Sequence, residues 1–159
     1  MIKVALTFEH FGVFVIRDDA RVVGSGSRQD GKIRCASHDE SLIAAFSIME
    51  DTKLLGASFW LEIAGYGFWT ISYRPWKRGA HIVGPNGELT AKFEQLPRHL
   101  GLNYNCFLQS ARSNVAKARV RRWWRYESEI ECTVDICTNT ILVAMMLIER
   151  DLSARSAGG

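Results

Sequence analysis

Asp135–Leu152, DICTNTILVAMMLIERDL, decides how the whole chain is read. Ile141–Ile148 is apolar without a break, so no polar stripe survives at helical spacing. A surface helix keeps a wet face, whereas one that is apolar all round must be enclosed on every side. Alanine, leucine and methionine are strong helix formers, and at 1.5 Å per residue the segment runs about 22 Å. Asp135, Thr138 and Asn139 are each suited to cap its start. Glu149, Arg150 and Asp151 are expected to return the chain to water. The apolar run falls well short of the ~20 residues that cross a bilayer. The expectation is a core helix over Thr138–Leu152, with the rest of the chain as its wrapper.

Size and composition leave room for that wrapper. A chain of 159 residues with 47% hydrophobic and 23% charged residues has the balance of a soluble globular domain. Residues 1–152 are read as one domain and 153–159, SARSAGG, as a flexible tail. The formal charge of +3 is too small to imply nucleic acid by itself. Met1-Ile2-Lys3-Val4 leads into strand-like alternation and not into a signal peptide, so a cytoplasmic protein, peripheral to membrane if it meets one, is expected. Cys35, Cys106, Cys132 and Cys137 form no CxxC pair and read as small core residues in a reducing compartment.

Working backwards from the helix, the chain is one hairpin after another. Phe11–Arg17 and Arg21–Ser27 flank an Asp18-Asp19 turn, and Lys32–Ala36 precedes the turn at His38-Asp39-Glu40. Leu42–Ile48 reads as the returning strand, although Leu42, Ile43, Phe46 and Met49 also match helical spacing, so residues 41–50 stay open. Phe59–Ile63 pairs with Gly67–Tyr73, and His81–Val83 with Leu89–Glu94 across Pro85-Asn86-Gly87. Tyr104–Gln109, Val115–Arg121 and Tyr126–Val134 complete the run. RVVGSGS, SLIAAFS, ELTAKFE and NVAKARV each follow a turn and place small residues after an apolar one, where a backbone would approach a bulky central helix. Many antiparallel strands and one wholly apolar helix imply a mainly β fold, a closed barrel that has no exposed edges and wraps the helix.

The last third carries a family likeness. NVAKARVRRWWRYESEIECTVDICTNTILVAMMLIERDL resembles the end of the tubby C-terminal-like superfamily, which includes LURP-one-related proteins and phospholipid scramblases. The matching positions are Val115-Ala116-Lys117, Trp123-Trp124, Tyr126–Val134 and Ile141–Asp151. The resemblance implies a barrel of about twelve strands around a C-terminal helix, and phosphoinositide binding on its tubby branch. The scramblase branch carries an acidic calcium-binding stretch before its helix. Here Cys132–Asn139 contains only Asp135, so calcium binding and calcium-driven scrambling are not expected.

Lys117, Arg119 and Arg121 alternate with Ala116, Ala118 and Val120 and so share an outer face, as do Glu127, Glu129 and Glu131 on the following strand. A hairpin there sets Arg121 opposite Glu127, Arg119 opposite Glu129 and Lys117 opposite Glu131, a neutralised ladder in place of an anion patch. Two tips escape it: Arg74-Pro75-Trp76-Lys77-Arg78 and Arg122-Trp123-Trp124-Arg125. Tryptophan beside cations suits a membrane interface or stacking on unpaired bases, and equally the plugging of a barrel end. The candidate contacts for an anionic lipid or phosphate are therefore Arg74, Trp76, Lys77, Arg78, Arg122, Trp123, Trp124 and Arg125.

No catalytic set stands out. His10, His38, His81 and His99 are isolated, no serine sits in a GxSxG elbow, and GSGS at Gly24–Ser27 falls on a strand. A zinc site would require tertiary coincidence. The expectation is a non-enzymatic module without cofactor or metal. Its partner is an anionic phospholipid headgroup or membrane surface, with nucleic-acid or protein binding through the same tips as the alternative. The sequence leaves the oligomeric state open.

Overall fold

The structure is a computed structural model that describes residues 2–9, 12–38, 42–51, 57–96, 103–122, 126–133 and 135–157. In chain order the strands are β1 (Ile2–Phe8), β2 (Val13–Asp18), β3 (Arg21–Gln29), β4 (Lys32–Ser37), β5 (Phe46–Asp51) and β6 (Ala57–Ile63). They continue as β7 (Gly67–Arg74), β8 (Gly79–Gly84), β9 (Gly87–Gln95), β10 (Asn103–Gln109), β11 (Asn114–Arg122) and β12 (Tyr126–Cys132), followed by α1 (Ile136–Ala157). Each strand pairs antiparallel with its chain neighbours, and β12 pairs with β1, so twelve strands close a barrel around the helix. The alternation Phe59, Leu61 and Ile63 inward, Trp60 and Glu62 outward, shows the rule that the wall follows. Short turns hold the meander together. Asp30 and Gly31 both take positive φ in the two-residue link of β3 to β4, the backbone that matches strand twist.

Because the strands run alternately up and down, the barrel has two distinct mouths. The helix starts at the mouth where β12 ends and finishes at the one where β1, β3, β5, β7, β9 and β11 end. Cys137–Glu149 is buried throughout, and Leu142–Met146 shows no exposed surface. Burial of one leucine, valine or methionine side chain contributes about 1.5–3 kcal/mol. At the first mouth Asp135 is the cap: its carboxylate accepts from the Cys137 N–H at 3.0 Å and from the Thr138 hydroxyl at 2.5 Å. Asn139 instead fixes the turn into the helix, accepting from the Thr133 N–H at 2.8 Å and donating to its carbonyl at 2.7 Å.

The structure departs from the sequence reading in four places. The strand expected over Leu42–Ile48 begins only at Phe46, because Leu42 and Ile43 turn into the core and the Ala44 N–H donates to the Thr140 hydroxyl at 2.9 Å. The helix starts at Ile136 and continues to Ala157, so Ser153–Ala157 are helical where a tail was expected. Glu149 and Asp151 do not return to water. They are 8% exposed and are held by the barrel rim and by the helix's own last turn, Glu149 by Tyr104 and Ser153, Asp151 by Arg28 and Arg155. Finally, the glycines of β3 do not make room for the helix. Gly24 lies against Ile43, where a Cβ would come within 2.9 Å of its Cδ1, and Gly26 lies under the Phe14 ring. The alanines of β11, the strand with most contact to the helix, are buried in the core as expected, and so is Ala91 of β9. Phe11 and Val134, expected in strands, lie outside the described residues.

Candidate functional site

The expected ladder is present in the expected register: Lys117 opposite Glu131, Arg119 opposite Glu129, Arg121 opposite Glu127. Strand β1 adds Lys3 on the other side of Glu131. Lys117 also lies 5.7 Å from the centroid of the Phe107 ring. Signs alternate across this wall, so its basic run presents little net charge to a ligand.

The wall of β7, β8 and β9 differs. Arg74 is opposite Gly79, and Gly79 is opposite Lys92, so two cations flank a position with no side chain. Gly79 is needed there, since a Cβ would come within 2.6 Å of the Ala91 carbonyl oxygen. Beyond Arg74 the chain makes a 3-10 turn, Pro75–Lys77, which closes when the N–H of Arg78 in the left-handed region donates to the Pro75 carbonyl at 3.0 Å. That turn sets Lys77 beside the same notch. Proline suits the first position of such a turn because its φ is already fixed. Together Arg74, Lys77, His81 and Lys92 line a groove of about 460 Å³ over Gly79.

Two of its basic groups have carboxylate neighbours. Lys92 is 2.8 Å from Glu94, and His81 is 3.1 Å from Glu88, both at exposed positions where such pairs are weak. Arg74 and Lys77 have no ion-pair partner among the described residues. Two long cationic chains and a third from the strand opposite converge on a groove that small residues keep open, with Thr90 opposite His81 on its wall. Such an arrangement suits the oxygens of a phosphate or another multivalent oxyanion.

The eight candidate contacts divide accordingly. Arg74 and Lys77 line the groove. Arg78 turns away, its Nη1 donating to Gln95 at 2.9 Å while its carbonyl accepts from the Phe93 N–H at 2.8 Å. The Trp76 backbone lies in the 3-10 turn, and Arg122 ends β11 opposite Tyr126, but their side chains lie outside the described residues. Trp123, Trp124 and Arg125 lie wholly outside them. Topology adds what spacing could not. The strands that carry both tips end at the same mouth, the one where α1 finishes. At about 4.8 Å per strand the ends of β7 and β11 are some 19 Å apart around the wall.

His81 and Lys92 were missed because each is ordinary in its own strand; Lys92 joins Arg74 only through the register with Gly79, and His81 lies two residues along β8 from that glycine. Of the other histidines, His38 meets Ser25 at 2.9 Å, and His10 and His99 lie outside the described residues. Among the described residues no three His, Cys, Asp or Glu side chains could hold a metal ion. All four cysteines are free and buried. Burial pushes the Cys35 thiol up to about 12 and the Cys132 and Cys137 thiols to about 11, and it raises Cys106 further. No described helix is long and apolar enough to cross a membrane. Compared with family models, with curated proteins and with solved structures, the chain matches none.

Proposed function

We propose that this protein is a non-enzymatic module that docks on anionic phospholipid surfaces through the β7–β9 groove and the mouth above it. The single observation behind this reading is the convergence of Arg74, Lys77, His81 and Lys92 over Gly79, with Arg74 and Lys77 unpaired among the described residues. Each cation close to an anionic membrane contributes on the order of 1 kcal/mol. The mouth is the natural leading end, since the strands bearing both Trp/Arg tips finish there. A twelve-stranded barrel around a C-terminal helix is also the architecture that the likeness to tubby, LURP-one-related and scramblase-like proteins implies.

The test is flotation of the full chain with neutral vesicles, with vesicles containing phosphatidylserine or a phosphoinositide, and with a single-stranded oligonucleotide as competitor. Binding to anionic vesicles that weakens with salt and survives the oligonucleotide is the expected result. Preference for the oligonucleotide would replace the lipid reading with a nucleic-acid one.

A further inference from the structure

A second surface lies toward the opposite mouth, and it differs in chemistry from the basic groove. Trp60 is 42% exposed and Phe68 53%, unusual values for outward residues of a wall that is otherwise polar. Their rings meet edge to face at 6.3 Å, so they form one ridge and not two scattered side chains. Val83 extends it on β8, opposite Thr70, which is itself opposite Trp60. Carboxylates border this ridge on both sides. Glu62 is directly opposite Phe68, and Glu88 is directly opposite Val83. On the far side of Glu62 a groove of about 460 Å³ opens over Ser47, with a floor of small residues such as Gly26, Ala36 and Ala64.

We infer that this ridge, with its flanking Glu62 and Glu88, is a docking surface for a segment of a partner protein whose apolar side chain is flanked by lysine or arginine. The chemistry discriminates among the possible occupants. An anionic membrane is disfavoured, because inserting the rings would carry two carboxylates toward like charge. A second copy meeting ridge to ridge would set the same carboxylates against each other across the twofold axis. Strand addition is ruled out by the closed barrel, which offers no edge, so recognition has to work through side chains. What remains complementary is an apolar residue on the Trp60–Phe68 ridge with cations reaching Glu62 and Glu88. The aromatic ridge lies away from the basic groove, which the surface approaches at Glu88, 3.1 Å from His81. Phe68 and Arg74 occupy opposite ends of β7, about 20 Å apart along the strand at 3.3 Å per residue. One molecule could therefore hold an anionic surface and a basic partner at once, and this inference does not depend on the lipid reading.

The experiment uses short synthetic peptides with a Leu-Trp-Leu centre flanked by lysines, and the same peptides flanked by glutamates. Binding to the full chain is followed by chemical-shift changes and by sedimentation. The lysine-flanked peptide should shift the Trp60 indole and Phe68 ring signals and bind about tenfold tighter than its glutamate-flanked counterpart. Trp60→Ser with Phe68→Ser should abolish binding, and Glu62→Lys with Glu88→Lys should reverse the preference. The reversal decides the matter even if the double serine variant folds poorly. Equal binding of the two peptides, or shifts confined to other residues, would overturn the inference. So would a wild-type dimer that Phe68→Ser dissolves, or quenching of Trp60 on insertion into vesicles.

Discussion

The β11–β12–β1 wall and the β7–β9 wall both carry lysines and arginines, yet they set different residues across from them. On the first, each of Lys117, Arg119 and Arg121 is opposite a glutamate. On the second, the position between Arg74 and Lys92 is Gly79, and a turn brings Lys77 over it. The difference teaches that a cationic run is a poor guide to a site until its cross-strand partners are known. A basic cluster built from residues 74, 77, 81 and 92 is invisible as a run, and three cations within five residues, Lys117, Arg119 and Arg121, are cancelled by the neighbouring strand.

Both walls hang on the same helix, so the largest effect removes the contrast altogether. Met145→Asp places an unpaired carboxylate where no solvent reaches and should cost more than about 4 kcal/mol. Denaturant unfolding checks this, and a variant as stable as wild type would mean that Met145 faces water. A smaller loss is expected at the mouth next to the basic groove. Tyr104→Phe removes the hydroxyl that donates to buried Glu149 and should cost about 1.5–3 kcal/mol, measured in the same way.

The interior offers a pH-dependent control that both walls share. The thiols have an ordinary value of 9.0, and burial holds Cys35 near 12 and Cys132 and Cys137 near 11. The folded chain therefore keeps protons that the unfolded chain releases, so this contribution is whole below about pH 9 and is lost as pH rises toward 11–12. Melting temperatures should fall over that window, and less steeply in Cys35→Ala than in wild type. The smallest effect sharpens the comparison on the ladder wall. Arg119→Glu opposes Glu129 with a like charge and should cost less than about 1 kcal/mol, because such pairs are exposed. A larger loss would show that the ladder holds the barrel together and does not merely cancel charge.

Much of this was legible in the sequence. The uninterrupted apolar run of Ile141–Ile148 required a wrapper, and period-two alternation in segments such as Phe59–Ile63 supplied one. The register of β11 on β12 was readable because opposite charges repeat in step along both strands. The burial of Glu149 and Asp151 was not readable, because their partners Tyr104 and Arg28 come from strands remote in the chain. Ser153–Ala157 looked like a tail for the same reason: Arg155 is fixed by Glu50, which donor and acceptor meet only after the barrel closes. Half the basic groove was hidden likewise, since Gly79 gains meaning only from the cations on either side of it.

The contrast between the walls is tested most directly by matched charge removal. Arg74→Ser with Lys77→Ser and Lys117→Ser with Arg119→Ser each delete two cations, and co-sedimentation with phosphatidylserine vesicles is measured for both pairs and for wild type at one salt concentration. With about 1 kcal/mol per cation, the first pair should weaken binding roughly thirtyfold, and the second should change it little. Equal losses from the two pairs would mean that only net charge matters, and the β7–β9 groove would not be the site.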